Sequence, residues 1–151
     1  METDNEENDV EGEERVAAES VMETEKDARN WAIFCHLSAF LVFLIPLGNV
    51  LGPLAIWLIK RNDYAFVNNQ GKAVLNFQFS MTIYGLIAVI FLFGLFYTSS
   101  RGFDAMDSYM FLIALFIMAI QIAYSALIIM AAAKSNKGIL YKYPLAIEFL
   151  K

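Results

Sequence analysis

Polar and apolar positions are sharply segregated along this chain. Residues 1–30 are charged and polar, and three long apolar stretches follow: Trp31–Ile59, about Ala73–Thr98 and about Tyr109–Ala133. A helix rises about 1.5 Å per residue, so about 20 apolar residues cross a hydrocarbon layer of about 30 Å. The second and third stretches exceed that length and predict transmembrane helices over 73–98 and 109–133, each with some tilt. The first is longer than one crossing needs, and its middle reads Pro46-Leu-Gly48-Asn49-Val-Leu-Gly52-Pro53, dense in helix breakers. It is either one long helix kinked at the prolines or a broken pair, 31–45 and 49–60, joined by a turn near Gly48-Asn49. In the second case the halves are too short to cross fully, and the turn at membrane depth must be covered by the two long helices, because lipid cannot satisfy freed backbone groups.

Charge divides the chain at the same boundary. Residues 1–30 hold twelve of the sixteen acidic groups and three basic ones, for a net −9, while 31–151 carry +4. Residues 1–12 have the composition of a disordered segment. Residues 13–30 are either a solvated spacer or a short amphipathic helix with Ala17, Ala18, Val21, Met22 and Ala28 near one face, and Glu25 four residues before Arg29. The expected organisation is an acidic tail over 1–30 and a polytopic helical membrane domain over 31–151. Basic residues are scattered at segment ends, which excludes a nucleic-acid surface.

Topology follows from the basic residues. The loop 60–72 holds three, the turn Ser99–Ser108 holds one, and the C-terminal tail holds four. The excess of Lys and Arg on cytoplasmic loops places loop 60–72 and the C-terminus inside the cell. Arg15, Lys26 and Arg29 favour a cytoplasmic N-terminus, which requires the broken-pair reading of 31–59. The expected fold class is therefore an all-α integral membrane protein of the inner or plasma membrane, with two long crossings plus a broken helical pair.

Few side chains offer chemistry. The single histidine, His36, could relay a proton, but it lies near the start of its segment with no carboxylate in the same apolar helix, which favours a structural role. Cys35 reads as a buried small hydrophobe. Asn76, Ser80 and Tyr84 recur at i, i+4 and i+8, and Gln78 and Thr82 form a second pair. Polar groups in hydrocarbon need partners, so these faces are expected to hydrogen-bond other helices, with Gln121, Tyr124 and Ser125 as candidates, or else to line a polar path with Asn49. No carboxylate lies inside a long apolar stretch, and there is no phosphate loop, nucleophile elbow or metal-ligand cluster in the sequence. No catalytic residue, metal or cofactor is expected.

The motifs together resemble a prokaryotic family of small membrane proteins of unknown function, grouped with the twenty-kilodalton import component of the chloroplast Tic translocon. The matching residues are Trp31 with His36-Leu-Ser38, the Pro46–Pro53 run with its Gly48, Asn49 and Gly52, and Trp57-Leu-Ile-Lys60. They continue with Gly71-Lys72, Asn76-Phe-Gln78, Ile83-Tyr84, Lys137-Gly138 and Tyr141-Lys-Tyr143-Pro144. The chain departs from that pattern where acidic residues are usual, reading Val67-Asn-Asn-Gln before Gly71 and Ile139 after Gly138. The resemblance implies a helical membrane domain and, by analogy, a part in protein translocation. The expected function is non-enzymatic: residence in a lipid bilayer, contacts with protein partners through the acidic tail, and association with further copies, with a channel or translocation subunit as the alternative.

Overall fold

In the computed structural model, which describes residues 2–98 and 106–151, those residues form four α-helices. They are α1 (Glu2–Leu37), α2 (Gly48–Lys60), α3 (Ala65–Thr98) and α4 (Met106–Asn136), with a 3-10 segment Ser38–Phe43 between α1 and α2. Among the described residues there is no strand. Two of the helices, α3 and α4, are long and apolar enough to cross a membrane.

Helix α1 corrects the expectation of a disordered or short-helical tail. It runs unbroken from Glu2 into the apolar segment, so residue 30 is a boundary in charge and not in backbone. Glu, Ala, Met and Arg are good helix formers, and acidic residues near a helix N-terminus meet the positive end of its dipole. Glu11–Arg15 at 3.6 Å and Glu25–Arg29 at 3.0 Å add ion pairs at i, i+4 in the favourable order. Residues 13–27 are exposed throughout, and burial begins at Ala28. From there Ala28, Ala32, Cys35 and Ala39 recur at spacings of four, three and four and are buried. These small side chains let α1 lie close against α4, where Ile128, Ala131 and Ser135 are buried in turn.

The first apolar stretch takes the broken-pair form. Its turn falls at Leu44–Leu47, slightly ahead of the expected Gly48-Asn49, and Gly48 opens α2. Leu47 makes the reversal with φ of 61°, the left-handed region that costs a side-chain-bearing residue about 1 kcal/mol. Two glycines let α2 fold back on the segment before it. A Cβ at Gly52 would stand 2.5 Å from the Ser38 carbonyl oxygen, and one at Gly48 would collide with that of Leu41. The expected cover of the turn is partial: Gly48 is buried and Asn49 bonds to α3, while Phe43, Leu44 and Leu47 are exposed. At 13 residues, α2 rises about 20 Å, less than a hydrocarbon layer.

The loop expected over 60–72 shrinks to Arg61–Tyr64, because α3 starts at Ala65. Its first turns are pinned to the rest of the body by polar bonds that a propensity argument does not register: Trp57 Nε1 donates to Asn68 Oδ1 at 2.9 Å, and Gln70 bonds His36. The last helix likewise extends to 106–136 from the expected 109–133. The expected turn Ser99–Ser108 lies mostly outside the described residues. The core is a cluster of Cys35, Val74, Phe77, Ala131 and Tyr143, in which the Phe77 and Tyr143 rings stack at 4.2 Å.

The two kinds of glycine are separable by experiment. Gly52→Ala is expected to destabilise by about 1–3 kcal/mol, because its new methyl meets main chain that cannot yield. Gly85→Ala, where nothing lies within 4 Å of the added Cβ, is expected to be neutral or stabilising by up to about 1 kcal/mol. Thermal unfolding of the detergent-purified proteins, followed by circular dichroism, reads both.

Candidate functional site

The polar side chains of the body gather in three places, and the C-terminal residues pass through two of them. Helix α4 ends at Asn136 and is closed by Gly138, whose φ of 70° lets its N–H reach Ser135 O and that of Ile139 reach Lys134 O, a Schellman closure. The chain then turns inward along α3 and does not leave as a tail. Gln70 Nε2 donates to Ile139 O at 2.9 Å, and Gln70 Oε1 accepts from Tyr141 N–H at 3.4 Å. Tyr143 lies in the core, and the chain reverses at Pro144-Leu145, with Leu145 at φ of 62°. The returning arm is then bonded by Tyr84 at Leu145, Ser80 at Ile147 and Asn76 at Phe149 and Leu150. By the register of α3 this hairpin reaches about 20 Å along the helix, from Gln70 to Tyr84.

At the heart of the hairpin sits His36, fully buried between Gln70 and Tyr143. Its tautomer follows from its neighbours. Gln70 Oε1 must be the oxygen, because it faces the Tyr141 N–H while Nε2 faces a carbonyl. That oxygen can only accept, so His36 Nε2 carries the proton and donates to it at 3.1 Å. His36 Nδ1 then accepts from the Tyr143 hydroxyl at 3.0 Å. The ring is thus a two-ended clasp between α1, α3 and the C-terminal hairpin, with both nitrogens used.

A second group joins α2, α3 and α4. Gln78 Oε1 accepts from Asn49 Nδ2 at 3.2 Å and from Tyr124 Oη at 2.7 Å, and Gln78 Nε2 is buried without a partner. The third is the face Asn76, Ser80, Tyr84. Its i, i+4, i+8 spacing is as expected, but its bonds run to the main chain of the C-terminal arm and not to a neighbouring helix. Gln121 is exposed, and Tyr124 alone of its expected partners meets α3 through Gln78. Asn49 and Asn76 therefore belong to different groups and do not line one path.

The remaining motif residues serve the frame. Trp31 lies under the Lys60 ammonium at 5.1 Å, Trp57 under the Arg61 guanidinium at 4.7 Å, and Tyr141 under Lys134 at 5.0 Å. These pairs gather amphipathic rings and cations at one end of the bundle. Asp63 accepts from Lys60 at 2.9 Å and holds its ammonium above the ordinary lysine range. Ser38 Oγ donates to Cys35 O at 2.8 Å, and the Cys35 thiol donates to Pro53 O at 3.6 Å. Pro46 sits in the bend before α2 and Pro144 in the C-terminal turn, both exposed. Among the described residues no three His, Cys, Asp or Glu side chains come together as metal ligands.

Gln70 is the residue that sequence reasoning missed. It stood in the segment read as a loop, so its helical register with the rest of α3 was hidden. The departure Val67-Asn-Asn-Gln was the available signal: the amide at position 70 donates to Ile139 O, which a carboxylate could not do.

A helical body with two helices of spanning length, belted at one end by aromatic rings and cations, defines a membrane-associated helical protein. Residues 27–150 match the magnetosome magnetite crystal formation protein family, MamF/MmsF, and the chain belongs to that family. The match begins at Asp27, one residue before burial starts, and leaves most of the acidic part of α1 outside it. It does not include the Tic translocon kinship that the motifs suggest. Neither the curated proteins nor the solved structures contain a match.

Gln70→Met removes the one side chain that serves His36, Ile139 and Tyr141 together. Leaving those buried groups unpaired is expected to cost about 2–4 kcal/mol and to speed amide exchange across 139–143. Tyr143→Phe removes only the donor to His36 Nδ1 and is expected to cost about 1–2 kcal/mol. Hydrogen–deuterium exchange with a global unfolding measurement separates the two.

Proposed function

We propose that this protein resides in the magnetosome membrane and serves magnetite crystal formation without being an enzyme, by organising protein partners. Helices α3 and α4 cross the bilayer, α2 and the C-terminal hairpin dip into it from the cytoplasmic face, and the acidic part of α1 stands about 40 Å into the cytoplasm. The observation that carries this reading is how the polar groups are spent. The buried His36, Gln70, Asn76 and Ser80 are engaged in bonds within the body, while the acidic surface of α1 over 13–27 is wholly exposed. A fold that spends most of its buried polar groups on internal bonds presents its chemistry outside, and here that is a carboxylate-rich rod that attracts basic partners by charge. A cleft of about 230 Å³ lined by Glu25, Ala28, Arg29, Phe66 and Gly138 lies at the foot of the rod, where a partner side chain could seat.

The alternative, a channel or translocation subunit as the Tic resemblance implies, would require Asn76, Ser80 and Tyr84 to face an open path. In the folded chain these three hold the C-terminal arm.

Deleting residues 2–26 is expected to remove partners from a crosslinking pull-down of the membrane-embedded protein, and their capture should weaken as salt rises. An unchanged partner set would defeat the reading. Single cysteines at Ser20 and Ser100, in a Cys35→Ala background, are expected to react with an impermeant maleimide from opposite sides of sealed vesicles. Labelling of both from one side would rule out the topology.

A further inference from the structure

Residues 145–150 are held as a ligand is held. We propose that the α3 face bearing Asn76, Ser80 and Tyr84 is a binding site for polypeptide main chain, with the chain's own C-terminal arm as its resident, displaceable occupant. The inference is independent of the acidic-helix reading, since it uses no acidic group of α1.

The bonds themselves carry it. Asn76 Oδ1 accepts from the N–H groups of Phe149 and Leu150 at 3.0 and 2.8 Å, and its Nδ2 donates to Leu150 O at 3.0 Å. One amide side chain therefore grips both polar groups of Leu150, as a neighbouring strand would. Ser80 Oγ accepts from Ile147 N–H at 2.8 Å while donating to Asn76 O at 2.7 Å, and Tyr84 Oη donates to Leu145 O at 3.1 Å. In each of these bonds the arm contributes a main-chain atom, so they do not depend on which residues the arm carries.

Of the arm's side chains, the small Ala146 packs against the core cluster and Leu150 is half-buried, while the others add little selectivity. Leu145 is 75% exposed, Ile147 45% and Phe149 49%. Phe149 meets the Phe79 ring edge-on at 6.1 Å, and Glu148 pairs with Lys142 at 3.1 Å within the same C-terminal segment. The deep anchor of the hairpin lies before the turn, where Tyr143, 5% exposed, is clasped by His36. Beyond the left-handed Leu145 the arm can lift away while that clasp stays closed. Once lifted, it leaves Asn76 and Ser80 on a helix face that continues into the exposed, apolar Ile83 and Ile87, and in an apolar setting a vacant amide is costly. The matching occupant is the main chain of an apolar, non-helical segment of a partner protein, whose own N–H and C=O groups need the same relief.

The test uses the full chain, folded in detergent micelles, with a specific-protease sequence inserted at the exposed turn between Pro144 and Leu145. After cleavage, three fluorescent peptides are titrated by anisotropy. They are residues 145–151, a scramble of the same composition, and the parent N-methylated at the positions of Ile147, Phe149 and Leu150. Parent and scramble are expected to bind with similar affinity. The N-methylated peptide should bind at least about tenfold more weakly, and Asn76→Leu should weaken the parent peptide at least about tenfold, because each loses several hydrogen bonds in an apolar setting. Slow amide exchange at 139–143 after cleavage confirms that the clasp is intact. A scramble that does not bind would overturn main-chain recognition, and a cleaved protein that takes up no peptide would overturn displaceability.

Discussion

The structure turns on the cost of putting non-helical backbone inside an apolar body. A helix satisfies its own N–H and C=O groups, but the thirteen residues after Gly138 do not form one, and in hydrocarbon each unmet group would cost several kcal/mol. The solution is a single helix, α3, that offers side chains in place of water. Gln70 serves the descending limb of the hairpin, and Tyr84, Ser80 and Asn76 serve the returning limb. The other helices are arranged so that this face stays accessible to the hairpin: α1 and α2 pack on α3 elsewhere, and α4 packs chiefly on α1.

The same logic recurs in the first apolar stretch. The turn at Leu44–Leu47 and the turn at Pro144-Leu145 are both made by a leucine in the left-handed region. Both are tied to α3 by a side chain, the first through Asn49, two residues beyond it, to the Gln78 amide, and the second at Leu145 O by the Tyr84 hydroxyl. The body is thus two inward-dipping hairpins hung on one long helix. His36 ties them together, since it is carried by the helix leading into the first and bonds the deepest ring of the second.

Much of this was readable in the residues, and the failures have physical causes. Two apolar runs of spanning length gave α3 and α4, and the breakers between Pro46 and Pro53 gave a broken pair with its turn only a few residues displaced. The acidic segment read as disordered over 1–12 and as helix or spacer over 13–30, because low hydrophobicity argues against a packed fold but not against an exposed helix, which Glu-rich sequence with i, i+4 pairs favours. The polar face of α3 was visible as a spacing, yet its partner was not, since an irregular hairpin has no period to recognise. Gln70 escaped because charge density around Lys60 and Lys72 marked a loop, where bonds to Trp57 and His36 instead extend the helix.

The order of synthesis gives the C-terminal arm a further consequence. Asn76, Ser80 and Tyr84 emerge well before residues 145–150, so until those residues are made α3 carries a stripe of unmet amide and hydroxyl groups. Synthesis of residues 145–150 supplies the main-chain groups that meet that stripe. A chain clipped before residue 145 is therefore physically distinguishable from one that carries the arm, at the same face of the same helix.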